Sequence, residues 1–204
     1  MTLKSELSNV SRETMERLRL LEDLVAKWTP RINLISKRDR ATIWDRHIAD
    51  SAQIWQFSPE KPETWADFGS GGGFPGLVIG AYAADENPRL QLTLVESDQR
   101  KAAFLRQAVR EMDIRCQVLA KRIEDVQPLA ADVISARALA SLPKLLEYLQ
   151  LHGKESCVGI FPKGRRSNEE IEEARRDYRF KVTATPSITD EEAAILQISE
   201  VARA

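Results

Sequence analysis

The sequence predicts an α/β fold, a doubly wound parallel sheet with helices on both faces, and three observations carry that reading. Residues 67–76, Asp-Phe-Gly-Ser-Gly-Gly-Gly-Phe-Pro-Gly, place five glycines between a short strand cue at Trp65-Ala66 and an apolar helix cue over 77–82. About one strand–helix–strand unit later, Leu90-Gln91-Leu92-Thr93-Leu94-Val95 alternates as a strand does and delivers Glu96 at its carboxyl end. From residue 64 onward, strand and helix patterns alternate to the end of the chain. A strand-to-helix turn cleared of side chains makes positive φ cheap and lets a ligand approach backbone, and an acid ending the next strand can accept from two ribose hydroxyls. Together they predict a nucleoside held at the carboxyl edge of the sheet.

Taken in order, residues 11–28 read as a helix with Ser11 as N-cap, Glu13 in its first turn, and Leu18, Leu21, Val25 and Trp28 on one face. Thr29-Pro30 is expected to stop it. A second helix over 41–57 brings Ile43, His47, Ile54 and Trp55 together, and 58–62, Ser-Pro-Glu-Lys-Pro, is a linker. Residues 1–60 therefore read as an N-terminal helical cap and 61–204 as one structural unit. That unit holds a strand from Thr64 to Phe68, a helix over 75–84 with Pro75 in its first turn, a strand over 90–95 and a helix over 98–112. There follow a strand over 115–120, a short helical piece at 123–127, a strand over 131–135, a helix over 138–151, a strand over 156–161 and a helix over 168–178. Two strands near 179–185 and 193–201, with no helix between them, predict a closing antiparallel pair in a seven-stranded sheet.

The bulk numbers suit a soluble domain. The chain has 204 residues, a charged fraction of 30% and a hydrophobic fraction of 43%. No apolar run approaches the roughly 18 residues needed to span a membrane. Residues 1–6 lack a hydrophobic signal core, and the two cysteines exclude a disulfide framework, so the cytoplasm is the expected compartment. A net charge of −1 hides local clusters. Segment 31–47 carries Arg31, Lys37, Arg38, Arg40, Arg46 and His47 against Asp39 and Asp45, while Lys121-Arg122 and Lys163-Gly164-Arg165-Arg166 follow predicted strands. A basic rim at the sheet edge that carries the glycine turn suits a polyanionic substrate.

The glycine run fits two cofactors. Residues 71–76 match the dinucleotide pattern G-x-G-x-x-G and would make the protein a nicotinamide or flavin oxidoreductase. Read from Asp67, the run is acid-x-Gly-x-Gly-x-Gly at the strand end, the arrangement of S-adenosylmethionine-dependent methyltransferases. A third possibility is a non-enzymatic RNA-binding assembly factor on the same fold.

Absences narrow the chemistry. His47 and His152 form no metal-ligand spacing, so no metal is expected, and Cys116 and Cys157 fall in strands. There is no G-x-S-x-G elbow. No cysteine stands in the loop after the fourth strand, where cytosine C5 methylation would need one. Ile134-Ser135-Ala136-Arg137-Ala138 stands where exocyclic-amine methylation would place Asn/Asp-Pro-Pro-aromatic. A ring nitrogen such as guanine N7 offers its lone pair without a general base, so these absences permit N7 chemistry.

Asn33-Leu34-Ile35-Ser36, Arg46-His47-Ile48-Ala49-Asp50-Ser51, the run from Asp67 to Gly76, Ile134–Ala138 and Phe161-Pro162-Lys163-Gly164 resemble the small-subunit ribosomal RNA methyltransferase G family (RsmG), also called glucose-inhibited division protein B. The resemblance spans nearly the whole chain. It implies a class I, Rossmann-like methyltransferase fold with a helical cap, and methyl transfer from S-adenosylmethionine to N7 of guanine 527 in the 530 loop of 16S ribosomal RNA. S-adenosylhomocysteine is the implied product, and 16S RNA or the small ribosomal subunit the implied partner of a monomer. By motif, Gly69, Ser70, Gly71, Gly73 and Phe74 bound the methionine end, Glu96 takes the ribose, and Ile123-Glu124 frames the adenine. Family members often carry Ala-Glu there, which leaves a backbone contact at Ile123. Arg137 is implied near the cofactor carboxylate or the guanine, and Asn33, Arg46, His47, Arg122, Lys163 and Arg165 on the RNA side. Arg137, His47 and Arg122 are positioning candidates. Asn33 and Asp50 also suit helix caps, and His47 also suits packing of the cap on the sheet.

Overall fold

The computed structural model describes residues 10–204. Residues 1–6, read above for a signal core, lie outside them. Seven strands form one sheet: β1 (Thr64–Phe68), β2 (Gln91–Val95), β3 (Cys116–Leu119), β4 (Ala131–Ala136), β5 (Gly153–Lys163), β6 (Tyr178–Pro186) and β7 (Ala194–Arg203). Their order is β3-β2-β1-β4-β5-β7-β6. The first five pair in parallel, and β7 runs antiparallel to both of its neighbours. This is the mostly parallel, seven-stranded sheet that the alternation predicted. Strand order reverses at β1, which lies between β2 and β4, so a crevice opens at the carboxyl ends of these strands.

Two helical layers cover the sheet because its strands alternate. Trp65, Leu92, Leu94, Val133, Ile160 and Ile195 point to one face, against α1 (Arg12–Ile32), α2 (Gly76–Glu86) and α3 (Gln99–Glu111). Ala66, Val95, Ile134, Phe161 and Leu196 point to the other, against α4 (Leu142–His152) and α5 (Ser167–Ala174). Helix α1 joins the first core through Leu18, Leu21 and Val25, all fully buried. Each such side chain contributes about 1.5–3 kcal/mol by burial. Polar ties add direction: Thr14 Oγ1 donates to Ala81 O at 3.3 Å and Arg17 Nε to Met112 O at 3.1 Å.

Four expectations need correction. Pro30 does not stop α1, which continues to Ile32. In the last turn proline removes a single backbone bond, and the helix ends instead at Asn33, in the left-handed region at φ 52°, whose N–H donates to Thr29 O. Residues 41–57 are not a regular helix. They run as a 3₁₀ turn (Arg38–Ala41), a π turn (Trp44–Ala49), one α turn (Asp50–Ala52) and a second 3₁₀ turn (Trp55–Phe57). The segment follows tertiary anchors rather than a helical period: His47 stacks on Phe74, and Trp55 on Trp65 and Tyr82. Helix α4 starts at Leu142, not 138, because Ala138 sits at φ 52° and Arg137 is tied back to the π turn. The helix expected over 168–178 ends at Ala174, and Tyr178 opens β6.

Candidate active site

The turn after β1 is built from left-handed glycines. Gly69, Gly71 and Gly73 have φ of 63°, 51° and 89°. The Gly69 amide donates to Val95 O at 2.9 Å, which fastens the turn to β2. Next along β2, Glu96 is almost buried: Oε2 accepts the Gly71 amide and Oε1 the Asp98 amide, both at 2.8 Å. Each carboxylate oxygen retains a lone pair for a hydroxyl. A Cβ built on Gly71 would meet nothing nearer than Gly69 O, at 3.6 Å, so the outward side of the turn is open to a ligand. Beneath it Asp67 is fully buried, accepting from Ser135 Oγ at 2.7 Å, while Trp65 Nε1 donates to Ser135 Oγ at 2.9 Å. Burial pushes the Asp67 carboxyl up to about 6, against the hydrogen bonds that favour its charge.

A cavity of about 310 Å³ opens over this turn, walled by Gly69, Gly71, Glu96, Ile123, Glu124 and Leu139. Leu139, 37% exposed, stands over Gly69, and a Cβ on that glycine would come within 2.5 Å of its Cδ1. Ile123–Asp125 is a 3₁₀ turn, with Glu124 held below the usual carboxylate range by the Tyr148 hydroxyl. Arg122 lines this cavity with Lys101 and Lys121. Ser70 and Gly73 shape the turn from behind: Ser70 Oγ donates to Asp67 O, and Ser70 O accepts the Gly73 amide. Phe74 lies beneath the His47 ring.

A second cavity, of about 650 Å³, lies beside the first, with Arg46, Asp50, Arg137, Lys163 and Glu170 in its walls. Ala138 lines both. Arg137 donates to Asp50 Oδ2 at 3.0 Å, to Arg46 O at 3.2 Å and to His47 Nδ1 at 2.5 Å, with its guanidinium 5.5 Å from the Phe74 ring centre. Burial, then the Arg137 charge, pulls His47 down to about 4. Lys163 is turned inward, donating to Ala140 O at 2.7 Å and Glu170 Oε2 at 2.8 Å. Exposed Arg165 pairs with Glu192 at 3.5 Å. Asn33 is exposed and acts as the cap of α1.

The sequence reading missed Glu170, Leu139 and Tyr148. Glu170 lay in an acidic run and carried no local signal of its partner Lys163. Cys116 and Cys157 thiols are pushed up to about 12 by burial. Among the described residues, no cluster of three or more His, Cys, Asp or Glu could hold a metal, and no helix is long and apolar enough to cross a membrane.

Comparison with known proteins decides the lineage: a family model described as rRNA small subunit methyltransferase G matches residues 14–197. The chain belongs to that family. It is 50% identical over 195 residues to the ribosomal RNA small subunit methyltransferase G of Ruegeria pomeroyi, covering 96% of this chain and 95% of the relative. The Gluconobacter oxydans protein of the same name is 46% identical over 197 residues, covering 97% and 99%. Among solved structures, a SAM-dependent methyltransferase from Aquifex aeolicus superposes with a TM-score of 0.59 at 12% identity, over 82% of this chain and 95% of the other. M. jannaschii TYW2 in complex with AdoMet gives 0.56 at 12% identity, over 77% and 74%. Membership in the methyltransferase G family makes this an S-adenosylmethionine-dependent enzyme of small-subunit ribosomal RNA methylation, and sets aside the nicotinamide or flavin alternative. The open, side-chain-free turn and the Glu96 carboxylate suit that cofactor.

Proposed function

We propose that the enzyme methylates N7 of guanine 527 in the 530 loop of 16S ribosomal RNA, acting in the cytoplasm as a monomer on the RNA or the small subunit. The observation that supports this most is the adjacency of two cavities at one sheet edge, sharing Ala138. The first has the groups for a nucleoside; the second has room for a purine and a wall of cations and carboxylates. In this reading Gly69, Gly71 and Glu96 hold the cofactor's methionine and ribose parts, and Ile123-Glu124 its adenine.

The cofactor supplies an electrophilic methyl group on a sulfonium. Attack by the N7 lone pair forms the carbon–nitrogen bond as the carbon–sulfur bond breaks, and the positive charge passes to the base. No proton is removed, so no general base is needed, and position and electrostatics carry the rate. The site agrees. His47 is neutral with Nδ1 engaged by Arg137, and Arg137 is fixed by Asp50, so these side chains shape the pocket. Asp50 and Glu170, each paired with a cation, Arg137 and Lys163, put carboxylate oxygens in the wall where a base would sit. The exposed cations Arg31, Lys37, Arg38, Arg40 and Arg46, with Arg165, give a surface for RNA phosphates.

The test is transfer of labelled methyl from S-adenosylmethionine to 16S RNA or small subunits taken from cells lacking the enzyme. A single N7-methylguanosine in the 530 loop is expected after nuclease digestion and mass spectrometry. Label in another nucleoside contradicts the proposal, and absence of transfer favours an assembly factor.

A further inference from the structure

Helix α4 reaches the Ile123–Asp125 turn with two polar side chains one helical turn apart. The Tyr148 hydroxyl donates to Glu124 Oε1 at 2.6 Å. His152 has no exposure to solvent, and its Nε2 lies 3.2 Å from Ile123 O. A carbonyl only accepts, so Nε2 carries the hydrogen. The other ring nitrogen, Nδ1, is buried with no hydrogen-bond partner. Both rings also pack edge-on against Phe68, at 5.8 Å and 77° for Tyr148 and 5.1 Å and 66° for His152. Phe68 is the residue before Gly69.

One face of α4 therefore ties the end of β1 to the 123–125 turn, the two ends of the first cavity. Packing of a helix on a sheet does not call for these groups. Phenylalanine and leucine would cover Phe68 without desolvating a hydroxyl or leaving an imidazole nitrogen unpaired. What the polar atoms add is a fixed place for the Glu124 carboxylate and the Ile123 carbonyl, the two groups by which α4 holds the turn. Methyl transfer itself uses neither side chain.

We infer that Tyr148 and His152 are positioning residues for adenine recognition, holding the Ile123-Glu124 turn so that its backbone reads the edge of the cofactor's base. The inference rests on the reading of that turn as the adenine frame. Adenine accepts at N1 and donates at its 6-amino group, while hypoxanthine donates at N1 and accepts at its 6-oxo group. A peptide held rigidly against that edge matches one pattern and opposes the other; a turn free to rotate tolerates both.

Calorimetry with S-adenosylhomocysteine and S-inosylhomocysteine tests it on the full chain. The native protein is expected to favour the adenine ligand at least tenfold. Tyr148→Phe, which keeps the ring on Phe68, and His152→Leu should each shrink that preference threefold or more. His152→Gln, whose amide still donates toward Ile123 O, should restore part of it. Should His152→Leu fail to fold by its melting curve, Tyr148→Phe decides. An unchanged preference in Tyr148→Phe, or equal weakening of both ligands, overturns the inference and leaves these residues a structural role. A native protein with no preference overturns the adenine-frame reading and the inference with it.

Discussion

Arg137 donates from Nη2 to His47 Nδ1 at 2.5 Å, joining the end of β4 to the π turn of the amino-terminal segment. The same guanidinium reaches Asp50 and lies over Phe74, the residue that closes the glycine turn and carries the His47 ring stacked at 5.0 Å. Three segments far apart in sequence are thereby fixed at the boundary between the two cavities.

This bond requires His47 to be an acceptor at Nδ1, hence neutral. The NMR resonances of the ring are expected not to titrate between pH 8 and 5.5, because burial and the Arg137 charge pull its pKa down to about 4. In Arg137→Met the ring should titrate nearer its ordinary value. The sign for stability follows: the unfolded chain takes up the proton first, so this site's stabilisation is present above about pH 6.5 and lost as pH falls toward 4. A ring that titrates near 6.5 in the native protein contradicts the geometry.

Two glycines of the turn separate cofactor binding from folding. Gly71→Asp puts a carboxylate into the open side of the turn, where the proposed reading sets the methionine end of the ligand, and should abolish S-adenosylhomocysteine binding with a small loss of melting temperature. Gly73→Ala is expected to act on the fold, since its φ is 89° and a Cβ would meet Leu77 Cδ1 at a separation no packing tolerates. Strain of this kind costs about 1–3 kcal/mol, before the clash is relieved. Thermal melts and titration calorimetry on both variants check the contrast.

Glu96 holds the turn through two amides, and in the proposed reading it also takes the ribose. Glu96→Gln keeps one oxygen acceptor but places a donor against a backbone amide, and should weaken cofactor binding at least tenfold while the protein stays folded. Glu96→Ala leaves both the Gly71 and Asp98 amides without partner and should also lower the melting temperature. Equal affinity of native protein and Glu96→Gln would remove Glu96 from the ribose site.

What the sequence showed was what is local. The glycine turn and the acid after Val95 were legible because positive φ and strand alternation are written in adjacent residues. So was the seven-stranded sheet, from the helix-free spacing between the last two strands. The course of 38–57 was not, because its 3₁₀ and π turns answer to Phe74, Arg137, Trp65 and Tyr82, between 10 and 91 residues away. Nor was the start of α4, which depends on Arg137 being tied back to Asp50. Lys163 was legible as a residue near the site, but its inward turn toward Glu170 and Ala140 follows from where α5 lands.

Asp67 gives a pH signature of opposite sign to His47. With its carboxyl pushed up to about 6 in the fold, the unfolded chain ionises first as pH rises. Stability associated with the neutral acid is present below about pH 4 and lost as pH rises through 6. Relative to Asp67→Asn, which cannot ionise, the native protein should lose on the order of 2–3 kcal/mol between pH 4 and pH 8. Urea unfolding of both proteins across that range measures the difference, and parallel profiles contradict it.

In the proposed reading the bare backbone after β1 and the carboxylate after β2 together hold the methyl donor. A crystal structure with S-adenosylhomocysteine tests it most directly. The ribose hydroxyls are expected on Glu96, the homocysteine along Gly69 and Gly71, and the adenine at the Ile123-Glu124 turn. Ligand density elsewhere on the protein, or a Glu96 carboxylate turned away from the ribose, would contradict it.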